Sequence, residues 1–196
     1  MGVTPRAAGR ALARFLCLLL AAGGLLLVAR GAAIPAKAWA AQRLLDRAFA
    51  ATVAAGRPVR PWPWADAAPV ARLRVPRLGV SEIVLSGGSG EALAFGPTLL
   101  PGGARPGERG TAVFAAHRDT HFRFLAALRE GDLVEVEDAA GRVHRYRAGA
   151  GRIVRHDRFA IDRHAARPAI ALVTCWPLGG AGRGPLRYVV RAEPAP

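Results

Sequence analysis

The chain has 196 residues, enough for one ordinary hydrophobic core behind an N-terminal extension and too few for two full domains. Its 28 Lys and Arg residues outnumber the 14 Asp and Glu residues and give a formal net charge of +14, yet no zinc finger, recognition helix or aromatic–basic motif accompanies them. We therefore expect no nucleic acid partner, and we interpret the charge as compositional bias with an attraction to anionic lipid or wall polymer.

The N-terminal segment is predicted to enter a membrane. Residues 15–29 carry no charge, and Arg6, Arg10 and Arg14 precede them with no acidic residue nearby. Fifteen helical residues span only about 22 Å of a hydrocarbon core about 30 Å thick. This length favours a cleaved signal sequence if the apolar run stops at Arg30.

A longer version of the same segment favours a membrane anchor. Residues 12–34 are long enough to cross the bilayer if Arg14 and Arg30 extend toward its two interfaces. Cleavage at residues 38–40 is the alternative. We expect residues 1–35 to form an uncleaved, single-pass signal anchor or transmembrane segment with its N-terminus in the cytoplasm.

Residues 36–69 are predicted to connect this anchor to the main domain. Residues 36–55 have an amphipathic pattern that predicts a juxtamembrane helix ended by Gly56. Residues 57–64 are rich in Pro, Arg and Trp, cannot continue a helix, and predict an extended linker. The main domain then covers residues 70–196.

This domain is predicted to be all-β. Residues 133–137 and 143–148 alternate around Asp138-Ala-Ala-Gly141 as in a hairpin, and a short helix is predicted over residues 122–129. Many short strands with little helix predict a closed barrel or a sandwich, because open sheet edges would otherwise be exposed. The predicted strands are residues 71–75, 82–85, 111–115, 133–137, 143–148, 153–155, 170–174 and 188–192.

Cys175 stands at the end of the apolar strand predicted over residues 170–174. The other cysteine, Cys17, lies in the N-terminal apolar run, and two cysteines cannot describe a disulfide framework. A thiol at a strand end is buried core, a metal ligand or a nucleophile, and core is the commonest case. The groups that the fold brings to the thiol decide among the three.

Two residues at other strand ends are candidates for those groups. His117 follows one apolar strand and Arg187 begins another, so both can meet Cys175 at the mouth of a barrel. There His117 would serve as base and acid, and Arg187 would bind negative charge developing on a carbonyl oxygen. Arg118 and Arg183 are the alternatives for the second role.

Six stretches of the chain together resemble the sortase family, most closely the sortase class found in Gram-negative bacteria. The resemblance runs roughly from residue 36 to the C-terminal end. Ala171 stands where many sortases have Thr, and Ala116 where Gly often precedes the histidine; both departures concern local geometry. The stretches are Arg-Pro-Trp-Pro-Trp-Ala-Asp (60–66), Val-Ala-Arg-Leu-Arg-Val-Pro-Arg-Leu-Gly-Val (70–80), Leu-Ala-Phe-Gly-Pro (93–97), His-Arg-Asp-Thr-His-Phe-Arg-Phe-Leu (117–125), Leu-Val-Thr-Cys-Trp-Pro (172–177) and Gly-Pro-Leu-Arg-Tyr-Val-Val-Arg-Ala (184–192).

The resemblance implies an eight-stranded sortase β-barrel with short helices, behind a transmembrane or signal-anchor helix and a juxtamembrane helix. It implies a cysteine transpeptidase that cleaves a C-terminal sorting signal of the Leu-Pro-x-Thr-Gly type between Thr and Gly. Cys175 would hold the Thr carbonyl as a thioester and pass it to an amine, or to water. His117 would protonate the departing amine and deprotonate the incoming one, and Arg187 would hold the substrate and the oxyanion.

The resemblance also implies partners and a location. The partners are a protein with the sorting signal, an amine acceptor in the cell envelope, and membrane lipid. The catalytic domain would lie on the periplasmic side of the inner (cytoplasmic) membrane. No cofactor is expected.

Thr174, Asp119 and His121 are expected to bind substrate or to orient the loops around the site. His117 and His121 are four residues apart, as in a zinc-binding helix. Arg118 stands where that motif has Glu, however, and no third ligand follows, so we expect no metal.

Two other functions remain open. A wall-modifying cysteine transpeptidase of the L,D type would carry a His in a Ser-His-Gly-Cys setting, which residues 172–175 lack. A non-catalytic, basic, membrane-tethered binding domain predicts that alkylation of the thiol leaves function untouched.

Overall fold

The structure is a computed structural model that describes residues 5–158, 160–180 and 184–196. The chain divides into two compact units, the first ending at Ala41 and the second beginning at Gln42. The first unit is helical, and the second contains a β-barrel.

Helix α1 (Pro5–Ala55) begins in the first unit and ends in the second. From Arg14 onward it is long and apolar enough to cross a membrane, a property that signal sequences share. The sequence predicted two helices on either side of Pro35, whereas the structure has one helix with Pro35 inside it. A proline removes a single backbone hydrogen bond, and the Ala-rich and Leu-rich segments around it are strong helix formers.

Eight strands in the described part of the second unit close into a β-barrel, which confirms the predicted fold class. Their order around the barrel is β1-β2-β3-β4-β7-β8-β6-β5, and β5 pairs with β1 to close the ring. Strand β2 runs parallel to β3, and β4 parallel to β7. The strands are β1 (Pro69–Val75), β2 (Val80–Ser86), β3 (Thr98–Leu99), β4 (Gly110–Ala115), β5 (Leu133–Asp138), β6 (Val143–Arg155), β7 (Pro168–Cys175) and β8 (Leu186–Pro194).

Alternating side chains of these strands fill the barrel interior. Pro69, Ala71, Leu73 and Val75 are the buried positions of β1, and the residues between them are half-exposed. Phe114 of β4 and Ile170 of β7 belong to the same core. Because successive side chains of a strand point to opposite faces, the residues between the core positions lie on the outer face of the barrel.

A second apolar cluster covers the outside of β2. Phe49 in the last part of α1 packs there with Ile83 and Leu85. Trp62 of the linker meets Phe95, the last residue of helix α2 (Gly90–Phe95), edge-on with ring centroids 5.0 Å apart. The cluster holds the linker and α2 against the barrel.

Some predicted elements differ from the observed ones. Strand β6 is a single strand where the sequence predicted two, because Gly149 and Ala150 form a bulge in the ladder with β8 rather than a break. Strand β3 and helix α2 were not predicted, since they are too short to show a periodic pattern. The helix predicted over residues 122–129 is reduced to one 3₁₀ turn, Arg123–Ala126.

Candidate active site

Cys175 and Arg187 lie side by side on the outer face of the barrel. Cys175 ends β7 and is directly opposite Arg187 in the antiparallel ladder with β8. Residues in that relation have Cβ atoms about 5 Å apart. Thr174 is buried inside the barrel, so the side chain of Cys175 points outward, where it is half-buried.

His117 reaches the same level from β4. Strand β4 runs parallel to β7 with Ala115 opposite Val173. The amide of Ala116 donates a 3.3 Å hydrogen bond to the carbonyl oxygen of Val173. His117 follows Ala115 by two residues, just past the end of β4, as Cys175 follows Val173. Continuing the register would place it level with Cys175, and its side chain is exposed.

Hydrogen bonds on both sides of Cys175 join β7 to its neighbours. Oγ1 of Thr174 donates a 2.7 Å hydrogen bond to the carbonyl oxygen of Ala116. The amide of Trp176 donates a 3.1 Å hydrogen bond to the carbonyl oxygen of Leu186. The backbone of Cys175 is therefore held between β4 on one side and β8 on the other.

The guanidinium of Arg187 is held by its own backbone. Nη1 donates hydrogen bonds of 2.8 Å to the carbonyl oxygen of Gly184 and 2.9 Å to that of Leu186. A guanidinium has five N–H donors. Within the described ranges its other nitrogens make no hydrogen bond, so Nε and Nη2 are available to a ligand.

Arg118, one predicted alternative to Arg187, is buried and already engaged. Its Nη1 donates a 3.1 Å hydrogen bond to the carbonyl oxygen of Pro177, and its Nε forms a 3.2 Å ion pair with Asp119. These contacts tie the loop after β4 to the loop after β7 and leave Arg118 poorly placed to bind a substrate oxyanion. Arg183, the other alternative, lies outside the described residues.

His121 pairs with a residue that the sequence analysis missed. Its Nδ1 lies 2.8 Å from Oε2 of Glu82 in β2, and both side chains are mostly buried. The two residues are 39 positions apart, and Glu82 occupies an ordinary alternating position, so no local pattern pointed to it. The loop-orienting roles expected of His121 and Asp119 stay predictions.

A groove begins beside Arg187 on the outer face of the barrel. It holds about 380 Å³, and Ile161 of the connection between β6 and β7 lines its wall. Oγ1 of Thr111 anchors that connection by donating a 2.6 Å hydrogen bond to the carbonyl oxygen of Asp162. The floor of the groove is apolar and comes from four strands: Val113, Val154, Val173 and Val189.

The spacing of His117 and His121 is not accompanied by a metal-binding cluster in the described part of the chain. Among residues 5–158, 160–180 and 184–196, no three His, Cys, Asp or Glu side chains cluster closely enough to hold a metal ion. His121 is engaged with Glu82 instead. The expected absence of a metal and of a cofactor stays a prediction.

Comparison with known proteins relates the chain to sortases. The family model of the sortase domain matches residues 73–195. Sortase D of Bacillus subtilis (strain 168) is 27% identical over 119 residues, which are 60% of this chain and 60% of that protein. The chain thus spans about 60% of the length of this curated relative.

Solved sortase structures share the fold. The Sortase D5 transpeptidase of Clostridium perfringens aligns with a TM-score of 0.57 at 22% identity, over 65% of this chain and 79% of that one. Sortase A from Corynebacterium diphtheriae, solved as a lid mutant, aligns with a TM-score of 0.61 at 19% identity, over 83% of this chain and 95% of that one. At such identities the likeness establishes the barrel architecture.

Proposed function

The chain belongs to the sortase family, and we propose that it is a membrane-anchored cysteine transpeptidase acting on a protein with a Leu-Pro-x-Thr-Gly-like sorting signal. The observation that carries the proposal is the row of His117, Cys175 and Arg187 at the ends of adjacent strands. A thiol, an imidazole and a guanidinium beside a groove are the groups that acyl transfer requires. Within the family, we propose that the chain belongs to the class found in Gram-negative bacteria.

In the first step, the thiol proton of Cys175 passes to His117, and Sγ attacks the carbonyl carbon of the Thr–Gly bond. Negative charge develops on the carbonyl oxygen, and the donors of Arg187 that its own backbone leaves open stabilise it. The C–N bond breaks as His117 gives a proton to the departing amine. The Thr carbonyl remains on Cys175 as a thioester.

In the second step, an amine of the cell envelope replaces the amine that left. The incoming nitrogen attacks the thioester carbonyl and passes a proton to His117. The C–S bond breaks, Sγ leaves as a thiolate, and a new amide is formed. Water in place of the amine gives a free carboxylate, which is hydrolysis.

We propose that α1 anchors the protein as a single span in the inner membrane, with the residues from Gln42 onward on the periplasmic side. The long apolar helix supports this location. The positive charges at Arg6, Arg10 and Arg14 favour a cytoplasmic N-terminus. Anionic lipid would attract the basic chain, and the substrate protein and its acceptor amine would belong to the envelope.

Capture of the thioester tests this function. The full chain in detergent micelles is incubated with a peptide containing Leu-Pro-x-Thr-Gly, and intact mass is measured. We expect a wild-type adduct of the acyl mass that hydroxylamine releases. Cys17→Ala, which removes the exposed cysteine of α1, should keep the adduct. An adduct that persists in Cys175→Ala, or no adduct on the wild-type chain, would contradict the proposal.

The same assay separates the two alternatives. A cysteine transpeptidase of the L,D type would form its adduct with a peptidoglycan stem peptide and not with the sorting-signal peptide. A basic binding domain would form neither adduct, and alkylation of Cys175 would leave its binding unchanged.

A further inference from the structure

A second row of side chains lies next to the His117–Cys175–Arg187 row on the outer face of the barrel. The strand registers fix its members. Val189 of β8 is opposite Arg152 of β6 on one side and Val173 of β7 on the other. Val173 in turn is opposite Ala115 of β4. The second row is therefore apolar except for Arg152.

Members of this row line both the groove beside Arg187 and a larger groove next to it. The larger groove holds about 800 Å³, and Ala160, Ile161 and Val189 line both grooves. Arg152 and Arg191 line only the larger one. A continuous trough thus runs from Arg187 along the barrel, with arginines on its floor.

The arginines at the near end of the trough form a triangle. Arg152 is opposite Val189, and the neighbours of Val189 on the same face of β8 are Arg187 and Arg191. Diagonal neighbours in a sheet are about 7 to 8 Å apart, and like charges at that distance repel. Among the described residues, the guanidinium of Arg152 has neither a hydrogen bond nor an ion pair.

Three carboxylates line the same groove as Arg152, namely Glu130, Asp162 and Glu193. Glu193 is opposite Arg147 in the ladder and 3.7 Å from Nε of Arg191. Glu130 lies on the loop before β5, and Oδ1 of Asp162 accepts a 3.0 Å hydrogen bond from the amide of His164. Within the described ranges, Glu193 pairs with Arg191, whereas none of the three carboxylates forms an ion pair with Arg152.

We propose that Arg152, assisted by Arg191, binds a carboxylate side chain of the substrate polypeptide on the acyl side of the scissile bond. This inference rests on the proposed sortase function. A guanidinium and a carboxylate form paired, charge-assisted hydrogen bonds. The acyl half stays on the enzyme from the first step until the second step releases it, whereas the leaving half departs in the first step. A long groove beside Cys175 is therefore better suited to holding the acyl half.

The geometry limits where this acidic residue lies in the substrate. Arg152 is one row from the Cys175 row, which is two residues or about 7 Å along the strands. An extended substrate covers the same distance with two residues, and the side chains add reach. Two residues before Thr lies Pro, which like Leu is fixed in the signal. The carboxylate is therefore expected at x or, with the reach of both side chains, at one of the two residues that precede Leu.

Paired peptides test the assignment on the full chain in detergent micelles. Three pairs of Leu-Pro-x-Thr-Gly peptides differ only by Glu or Gln at one of these three positions. For at least one pair, wild-type kcat/KM should favour Glu by about two- to fivefold, as for one exposed ion pair. Arg152→Gln should bring this ratio close to one. Arg145→Gln, a matched change on β6 at a residue paired with Glu135, should keep the wild-type ratio.

Binding separates this inference from the proposed function. In a Cys175→Ala background, the Glu peptide should bind more tightly than its Gln twin, and adding Arg152→Gln should remove the difference. That result supports the inference even if no thioester forms on the wild-type chain. Thioester formation without a Glu preference in any pair overturns the inference and leaves the proposed function standing. Equal binding within every pair, or inhibition by inorganic phosphate without a Glu preference, also overturns it.

Discussion

Oγ1 of Thr174 donates a 2.7 Å hydrogen bond to the carbonyl oxygen of Ala116, so the residue before Cys175 is bonded to the residue before His117. Both Thr174 and Ala116 are buried, and their neighbours in the chain are the candidate nucleophile and base. The bond joins β7 to β4 at the last position before these two side chains. We therefore expect Thr174 to position the side chains of Cys175 and His117, which its substitution can test.

Replacing Thr174 by Val should lower kcat about tenfold. The change keeps the side-chain shape but leaves the carbonyl oxygen of Ala116 without its partner, and an unsatisfied buried group costs about 1 to 3 kcal/mol. A small shift of His117 relative to Cys175 then slows both steps. Steady-state cleavage of the sorting-signal peptide, measured beside the thermal midpoint, checks this expectation.

Thr98→Val provides the matched control for that change. Thr98 is also buried, but within the described ranges its hydroxyl has no hydrogen-bond partner. Removing that hydroxyl should leave kcat unchanged and the thermal midpoint equal or higher. A wild-type kcat in Thr174→Val, or an equal loss in Thr98→Val, would contradict the role given to the Thr174 hydrogen bond.

Arg118→Met should lower kcat about tenfold with little change in KM. The substitution removes the 3.1 Å hydrogen bond to Pro177 that ties the two catalytic loops together, but no expected substrate contact. Arg118→Lys should recover part of kcat, since an ammonium can still donate to the same carbonyl. Arg123→Met, an exposed change in the following 3₁₀ turn, is the control. A larger effect on KM than on kcat would instead assign Arg118 to substrate binding.

Much of the barrel could be predicted because its strands carry their own local signals. Strands such as β1 and β5 alternate between buried and half-exposed residues, and glycines mark the turns between them. The sequence predicted a break in β6 where the structure has a bulge, because a glycine such as Gly149 is expected both at a bulge and at the end of a strand. The two residues of β3 form a strand only because they pair with β2 and β4, so no pattern in their own sequence could predict it.

The candidate site could be predicted only in part. The sequence predicted that His117, Cys175 and Arg187 lie at strand ends and meet at the mouth of a barrel. The strand registers are consistent with one row of these residues, and their roles stay predictions. The contacts that hold the row depend on which strands are neighbours in the barrel, and this order cannot be predicted from local sequence patterns. The bond from Arg118 to Pro177 spans 59 residues and exists only because β4 lies beside β7.

Asp132 should make stability depend on pH. Two hydrogen bonds of 2.5 and 2.6 Å from the guanidinium of Arg77 lower the pKa of this buried carboxyl to about 2. A carboxyl with a lowered pKa stabilises the fold above its unfolded pKa near 3.8, and the contribution is lost as pH falls through about 2. Allowing for solvent screening at Arg77, whose side chain is 40% exposed, this contribution is about 1 to 2 kcal/mol.

Asp132→Asn should therefore be less stable than wild type by that amount at pH 7, with the difference narrowing below pH 4. Urea unfolding of the full chain in micelles at several pH values measures the gap. Asp157→Asn removes the carboxylate of an exposed pair with Arg155 and should leave the unfolding free energy nearly unchanged. A gap that stays constant between pH 7 and pH 2.5 would show that the Asp132 carboxylate does not contribute through its ionisation.

Arg187→Lys should lower kcat/KM by about 10² to 10³, the usual effect of losing an oxyanion donor. Lysine keeps the charge but not the geometry. Nη1 of Arg187 donates to two backbone carbonyls, and its other N–H groups stay open for the oxyanion. A single ammonium cannot make the backbone bonds and bind the oxyanion in the same way. The thioester should still form on Cys175, only more slowly, so single-turnover mass spectrometry gives the rate of the first step. Arg145→Lys, the same change at a residue of β6 paired with Glu135, should keep the wild-type rate. A first step of normal rate in Arg187→Lys would mean that charge alone suffices at this position and that the oxyanion is bound elsewhere, most directly by backbone amides.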